Sequence, residues 1–503
     1  MTPRAPETAS SMWERLSSAR SSFMLKCERF ASMTLPKIML PNGVTVENAT
    51  FTNQYQSIGA QAVNHLANRL MIAMFAPSRP SFRLIPTDSL RGQLMAAGAS
   101  EDDIAPILAE AERKAARQLD SRAQRSKLYT AMKHIIVTGQ ILLCLKDETI
   151  RSVGLKYWCV KRRADGTPHT IVMREVLKAD ELAEEVQPFA YAASADTEVS
   201  LYTVISFDAK GRVTEDLWVD NTKLPDKFSS KYTPETNPWI VVHWDLGDES
   251  DYATGLVEEY AADFERISAL SEAISDGSIL ALDTRNLVDQ SGMTSVEDMK
   301  NGKSGDFVPG RKDDITPVTV GSYPALAPGD QILQRYEKRI AQAFLLHSAI
   351  VRNAERVTAE EIRMIAQELE TSLGGVYSAL AAAMQTPIAR WLLRQINLPM
   401  SAKDFDLAVV TGLDALSRNG DLEALQRGLE ILGKVAVLPP ELQSRLKMDQ
   451  LAARVGEGVG YDLSKVMKSK EELAQEQQAA AASRSAESTV TAAGEAAAQQ
   501  GQV

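Results

Sequence analysis

Cysteine is scarce. The 503 residues hold three, Cys27, Cys144 and Cys159, with no metal-like spacing. An odd, sparse count excludes a disulfide framework and suits a reducing compartment. Long apolar runs are missing too. The richest, Leu70–Ala76 and Ile141–Leu145, fall far short of the roughly 20 apolar residues that cross a bilayer. The first 30 residues are charged from Arg4 to Arg29, without the apolar core of a secretory leader. The chain is therefore expected to be made and used in a cytoplasm, or to join something assembled there, with no membrane partner. Positive charge is not in excess: 55 Lys and Arg face 66 Asp and Glu, a formal net charge of −11. Gripping duplex phosphates takes clustered cations, so a strongly basic nucleic-acid binder is excluded.

Catalytic patterns are absent as well. His65, His134, His169, His243 and His347 stand isolated, and neither His-Glu-x-x-His nor Gly-x-Ser-x-Gly occurs. His65 and His134 read as packing or surface residues of amphipathic helices. Gly305–Lys312 imitates a phosphate loop, but Arg311 stands where lysine is required and Asp313 follows Lys312. Pro309 also removes a backbone N–H that a phosphate would use. Asp102-Asp103 and Asp313-Asp314 read as solvated carboxylates, because no ligand spacing supports a cation there. No enzyme, cofactor or metal is expected.

What is present is an ordinary globular composition, 44% hydrophobic and 24% charged. The length allows roughly three packed units. The pattern predicts an α+β fold, mainly helical. Ile58, Ala62, Leu66, Leu70 and Ala73 step at helical spacing and Pro77 stops them. Residues 101–136 form a second helical stretch, broken at Gly139 before a buried strand, QILLCL. From about 140 to 245 strands dominate. Asp165-Gly166 and Asp208 to Gly211 mark hairpin turns, since glycine accepts positive φ. WIVVHW is the last strand.

A helix starts near Gly255 with an apolar stripe of Leu256, Tyr260, Phe264, Ile267, Leu270 and Ile274. Its other faces are acidic: residues 245–282 carry ten Asp and Glu, opposed by Arg266 alone. A Gly- and Pro-rich stretch covers 283–326. Helix resumes near 330 and breaks at the charged turn Arg352-Asn353-Ala354-Glu355-Arg356. Thr358 and Glu361 make a capping-box pattern for a helix that could run to 396, with soft points at Gly374-Gly375 and Pro387. More helix follows 414, separated by Pro439-Pro440 from a last helical part. From 475 onward Ala and Gln dominate, a composition expected to be disordered. No internal repeat is found. The acidic hairpin has two readings, a solvated face or the lining of a passage through which a polyanion slides because nothing holds it.

Three blocks carry a family resemblance. The first runs from Gln56-Ser57-Ile58-Gly59-Ala60 through Leu66-Ala67-Asn68-Arg69-Leu70-Met71 to Ala73-Met74-Phe75. The second is Gly305-Asp306-Phe307-Val308-Pro309-Gly310 with Asp313-Asp314-Ile315. The third is Glu355-Arg356-Val357-Thr358-Ala359-Glu360-Glu361-Ile362-Arg363, then Glu368-Leu369-Glu370 and Leu373-Gly374-Gly375-Val376-Tyr377. In these blocks, their order and their spacing, the chain resembles the portal proteins, or head-to-tail connectors, of short-tailed bacteriophages over about residues 10–470.

The resemblance implies a homo-dodecameric ring at one capsid vertex, a virion component put together in the host cytoplasm. Double-stranded DNA passes through its channel without sequence readout, inward at packaging and outward at ejection. The implied partners are the terminase large subunit, which does the ATP hydrolysis, a tail adaptor, and the major capsid and scaffolding proteins. By position the wing takes 1–254, stem helices 255–282 and 327–348, the clip 283–326, the tunnel loop 349–357, a long wing helix and its return 358–413, the crown 414–470, and a disordered tail 471–503.

Arg352, Asn353, Glu355 and Arg356 are the implied tunnel-loop residues near DNA, against the reading of an exposed turn with Glu355 as local partner. Glu258, Glu265, Glu272 and Asp276 fall on one side of the stem helix, facing either the lumen or Lys338 and Arg339 of a neighbour. Lys300, Lys303, Asp306, Arg311 and Lys312 form a mixed-charge clip surface for docking, first of the motor and then of the tail. The alternative is a tail adaptor or other virion scaffold without a DNA channel.

Overall fold

The computed structural model describes residues 7–41, 43–45, 48, 55–77, 80–96, 101–121, 123–146, 148–190, 194, 196–282, 284–319, 323–346, 359–396 and 405–409, with 430, 451, 454 and 455. The chain divides into two units, Met1–Gly412 and Leu413–Val503. The expected tunnel loop 349–357 and tail 471–503, and nearly all of the expected crown 414–470, lie outside the described residues.

The first unit opens with α1 (Ala9–Ala19) and α2 (Ser21–Met33). Thr8 caps α1, its hydroxyl accepting from the Ser11 N–H at 3.3 Å. Helix α3 (Ile58–Met74) follows, with Ala62, Val63, Leu66, Ala67 and Leu70 wholly buried. A short strand β1 (Phe82–Pro86) leads to α4 (Asp88–Ala96), α5 (Glu101–Ser121) and α6 (Gln124–Thr138). The stretch read as one helix over 101–136 is thus two, divided where Ala123 takes a φ of 51°. No glycine marks that break. Gly139, with a φ of 82°, ends α6 and turns the chain into β2 (Gln140–Cys144), in which every residue is buried.

The middle is antiparallel sheet. Strands β3 (Arg151–Val153), β4 (Trp158–Arg162), β5 (Pro168–Lys178), β6 (Glu198–Phe207), β7 (Val213–Val219), β8 (Thr222–Lys223), β9 (Ser230–Tyr232) and β10 (Trp239–His243) form two sheets. The larger runs β4-β5-β6-β7-β8, with β9 also on β7; the smaller runs β10-β2-β3. Both Asp-Gly turn signals sit at hairpins, with positive φ at Gly166 between β4 and β5 and at Gly211 between β6 and β7. Helix α1 lies on the larger sheet and buries Trp13 and Leu16 among Val172, Tyr202 and Val204. Arg20, buried, fastens this layer to the main core. It donates to the carbonyls of Leu155 at 2.7 Å and Trp158 at 2.5 Å, between the rings of Trp13 and Tyr252. Such pairing is what makes a buried cation tolerable.

The chain then enters α7 (Leu256–Glu259) and α8 (Ala261–Leu282). This entry is locked onto α6 by close backbone contact. A Cβ on Gly255 would stand 2.6 Å from the Ile136 carbonyl oxygen, and one on Gly139 would stand 2.3 Å from that of Ala253. The segment beyond contains β11 (Thr284–Val288), α9 (Val296–Asn301) and β12 (Ile315–Thr319), with β11 and β12 paired antiparallel. Helix α10 (Tyr323–Ala343) returns. It begins ahead of the 327 read from sequence, with Pro324 in its first turn, where a missing N–H costs little, and Pro328 inside the helix.

Helices α11 (Ala359–Leu373) and α12 (Gly375–Ile396) replace the single long helix. Gly374, at a φ of 59°, is the joint, whereas Pro387 is absorbed within α12. Strand β13 (Phe405–Val409) closes the unit by pairing with β1. Helices α3, α6, α11 and α12 share one hydrophobic core with β2 and β10. Removing one of its Leu side chains would cost on the order of 2–5 kcal/mol.

Candidate functional site

The candidate site is the α8/α10 hairpin and the insertion it carries. The helices run antiparallel. Asp263 near the start of α8 meets Arg339 near the end of α10 at 3.3 Å. Ile274, further along α8, comes close to Gly329 near the start of α10. At the base Phe344 packs edge-on against Tyr260 and Phe264, with ring centroids 5.9 and 5.8 Å apart. Phe264, Ile267, Ile340 and Phe344 are wholly buried there. The stripe read from sequence is therefore a real packing face at the base, and its partner is α10.

Towards the tip the cover disappears. Ile279, Leu280 and Leu282 are exposed, Leu282 to 71%. The insertion continues the apolar surface with Leu287, Met293, Val296, Met299 and the fully exposed Phe307. Burying a large aliphatic or aromatic side chain is worth roughly 1.5–3 kcal/mol, so the single chain leaves this free energy unrealised at one end of the hairpin. Large apolar side chains left this exposed along one segment point to an interaction site.

The insertion is nonetheless ordered by a specific lock. One carboxylate oxygen of Asp314 accepts from the N–H groups of Met293 and Thr294 at 3.0 and 3.1 Å and from the Thr294 hydroxyl at 2.8 Å. The Thr294 hydroxyl oxygen in turn accepts the Arg311 N–H at 2.9 Å. A Cβ on Gly310 would stand 2.5 Å from that hydroxyl. Ser295 caps α9 by accepting from the Asp298 N–H at 3.3 Å. One carboxylate oxygen of Asp314 is thus occupied by protein donors instead of solvent alone. Lys300, Lys303, Asp306, Arg311 and Lys312 are all exposed around this lock. Asp306 turns inward far enough to accept the Lys303 N–H at 2.6 Å.

The four stem carboxylates share a side, and the side has occupants. Glu258 lies 3.7 Å from Lys26, and Glu265 is paired with Arg29, both cations coming from α2 of the same chain. Glu272 is hydrogen-bonded to Tyr55; with Asp276 it pushes that phenol above its ordinary pKa. Among the described residues no cation is paired with Glu272 or Asp276. Among the described residues the acid row therefore has cation partners at the base and none towards the tip. Arg339 is engaged by Asp263 of its own chain, while Lys338 is exposed.

Arg352, Asn353, Glu355 and Arg356 lie outside the described residues. Their flanks are described. Helix α10 ends with Leu345 at a φ of 59°, and α11 carries Glu368, paired with the buried Arg69 of α3 at 2.5 Å. Burial and the neighbouring Arg69 hold the His65 imidazole below its ordinary pKa. The sequence reading missed the Thr294–Asp314 lock and the Arg69–Glu368 pair, because each joins residues far apart in the chain. Phe307 was visible only as part of a motif, with no sign of its full exposure.

The chain is similar to known proteins. Residues 6–467 match the family described as bacteriophage head to tail connecting protein. The portal protein of Enterobacteria phage SP6 is 31% identical over 475 residues, covering 92% of this chain and 90% of the relative. That of Pseudomonas phage phiKMV is 31% identical over 492 residues, covering 94% and 95%. That of Escherichia phage T7 is 29% identical over 490 residues, covering 94% and 90%. A solved chain from the neck of a native GTA particle is 12% identical and covers 79% of this chain and 89% of its own length, at a TM-score of 0.36. With the family matched across nearly its whole length, the chain belongs to the bacteriophage head to tail connecting proteins.

Proposed function

We propose that the chain is the subunit of a portal ring at a unique capsid vertex, enclosing the channel through which a phage genome is packaged and later ejected. The observation that carries the reading is the hairpin, complete at its base and apolar at its tip. A heterologous contact repeated around a closed ring covers such a tip with the next copy. A protein that works as a monomer would leave it in water.

The acid row supplies the channel wall. Glu272 and Asp276 present unpaired negative charge, and Glu258 and Glu265 extend the row as ion pairs. A wall of this sign repels phosphates and does not bind them, so double-stranded DNA moves without being trapped. Arg352, Asn353, Glu355 and Arg356 form the tunnel loop that meets the DNA. The insertion is the clip. Its exposed Lys300, Lys303, Asp306, Arg311 and Lys312 dock the terminase large subunit and then the tail adaptor, while capsid and scaffolding proteins hold the rim. The role is structural; the ATPase belongs to the motor.

Native mass spectrometry with negative-stain electron microscopy of the purified full chain tests this reading. Rings of about twelve copies around a central hole are expected, closed by the same contact throughout. A compact dimer without a hole would remove the channel and favour an adaptor.

A further inference from the structure

Residues 347–358, which contain the expected tunnel loop 349–357, lie outside the described residues between the end of α10 and α11. Both flanks are held from α3, by two side chains one helical turn apart. The end of α10 has the hydrogen bonds of a Schellman motif. The Leu346 N–H donates to the Ala341 carbonyl at 2.7 Å, and the Leu345 N–H donates to the Gln342 carbonyl at 3.2 Å. The position that must take left-handed backbone in this motif is usually glycine. Here it is Leu345, at a φ of 59°, where a Cβ is disfavoured.

What holds it there is visible. Leu345 is buried, and its backbone is hydrogen-bonded to His65. The Arg69 Nε–H donates to His65 Nε2 at 3.0 Å, so the His65 proton that reaches the Leu345 carbonyl is on Nδ1. On its other side Arg69, only 2% exposed, pairs through Nη1 with Glu368 of α11 at 2.5 Å. A continuous chain of polar contacts thus runs from the last turn of α10, through His65 and Arg69, to α11. Arg69 is buried on α3 in register with Ala62, Leu66 and Ala73, and a buried guanidinium is costly unless its partners are fixed.

We propose that His65 and Arg69 are positioning residues: a clamp on α3 that fixes the two helices flanking 347–358 relative to one another. Its consequence for DNA rests on the portal reading; the clamp itself does not.

The test is amide hydrogen exchange on the full-length protein, comparing the natural chain with His65→Ala and His65→Asn. His65→Ala should raise exchange at Phe344–Leu346 by about tenfold while leaving the distal part of α8 unchanged. His65→Asn keeps a donor near the Nδ1 position and should keep most of that protection, while losing the link to Arg69. Unchanged exchange in His65→Ala would overturn the clamp, as would an equal rise at Phe344–Leu346 and along the distal part of α8. DNA content of particles made with His65→Ala separates the two claims. Altered exchange with normal DNA content keeps the clamp and removes the DNA-meeting role of 347–358. Unaltered exchange removes the clamp whatever the DNA content.

Discussion

The base and the tip of the α8/α10 hairpin are built from the same two helices, yet only the base is finished by its own chain. At the base Phe264, Ile267, Ile340 and Phe344 are buried against each other, and Gly139 and Gly255 let α6 approach the hairpin's entry. At the tip Ile279, Leu280 and Leu282 face outward, and the insertion adds Met293 and Phe307. Charge follows the same division. Lys26 and Arg29 reach Glu258 and Glu265, whereas among the described residues no cation is paired with Glu272 or Asp276. The base is closed within one chain; the tip leaves its apolar side chains exposed.

That division can be broken first at the base. Phe344→Ala removes a ring packed against two others and should cost about 3–5 kcal/mol, read as a fall in the denaturant midpoint. An effect below about 1 kcal/mol would mean that the base is not the anchor.

Acid comes next, and it too acts on the core. Burial lowers the His134 imidazole to about 4, and His65 and His243 are lowered as well. As pH falls below the ordinary histidine value of about 6.5, the unfolded chain takes up these protons first. Stability is therefore full above that value and is lost on acidification, by up to about 3 kcal/mol for His134 alone once pH reaches its folded value. Glu112, raised by burial, works in the opposite direction, and its effect is confined to the carboxylate range. Urea unfolding between about pH 7 and 5 should show the decline, and His134→Leu should flatten it.

The ion pairs at the base weigh less. Arg29→Gln should cost no more than about 1 kcal/mol, because the pair is largely exposed, and the cost should shrink in high salt. Smallest in folding terms is the tip itself. Phe307→Ser or Leu282→Ser should leave the unfolding free energy within about 0.5 kcal/mol, while ring formation, read by sedimentation, should fall sharply. A tip variant that unfolds easily, or one that assembles normally, would collapse the distinction between the two ends.

Much of this was legible in the sequence. Gly139, Gly166, Gly211 and Gly374 marked breaks that the backbone makes with positive φ. The stripe from Leu256 to Ile274 named the packing face of the hairpin. Local signals of this kind reside in the few residues that make the turn or the helix. What was not legible is long-range. Arg29 meets Glu265 across 236 positions, and Thr294 reaches Asp314 across 20. The Asp313-Asp314 pair looked like two solvated carboxylates until the fold brought Met293 and Thr294 to one of them. Ala123 broke a helix without any residue type that announces it. His65 read as an ordinary helical histidine, because its partners on α10 and α11 lie beyond any local pattern.

The most direct test of an unfinished tip uses the chain's own cysteines as a silent background. Cys27, Cys144 and Cys159 are buried, with burial pushing their thiols up to about 12, 11 and 11, so they react slowly. A thiol introduced by Leu282→Cys is then the reactive one. Maleimide labelling should be fast in dissociated subunits and strongly suppressed in the assembled ring. Equal labelling in the two states would mean that no neighbouring copy covers the tip, and would contradict the account.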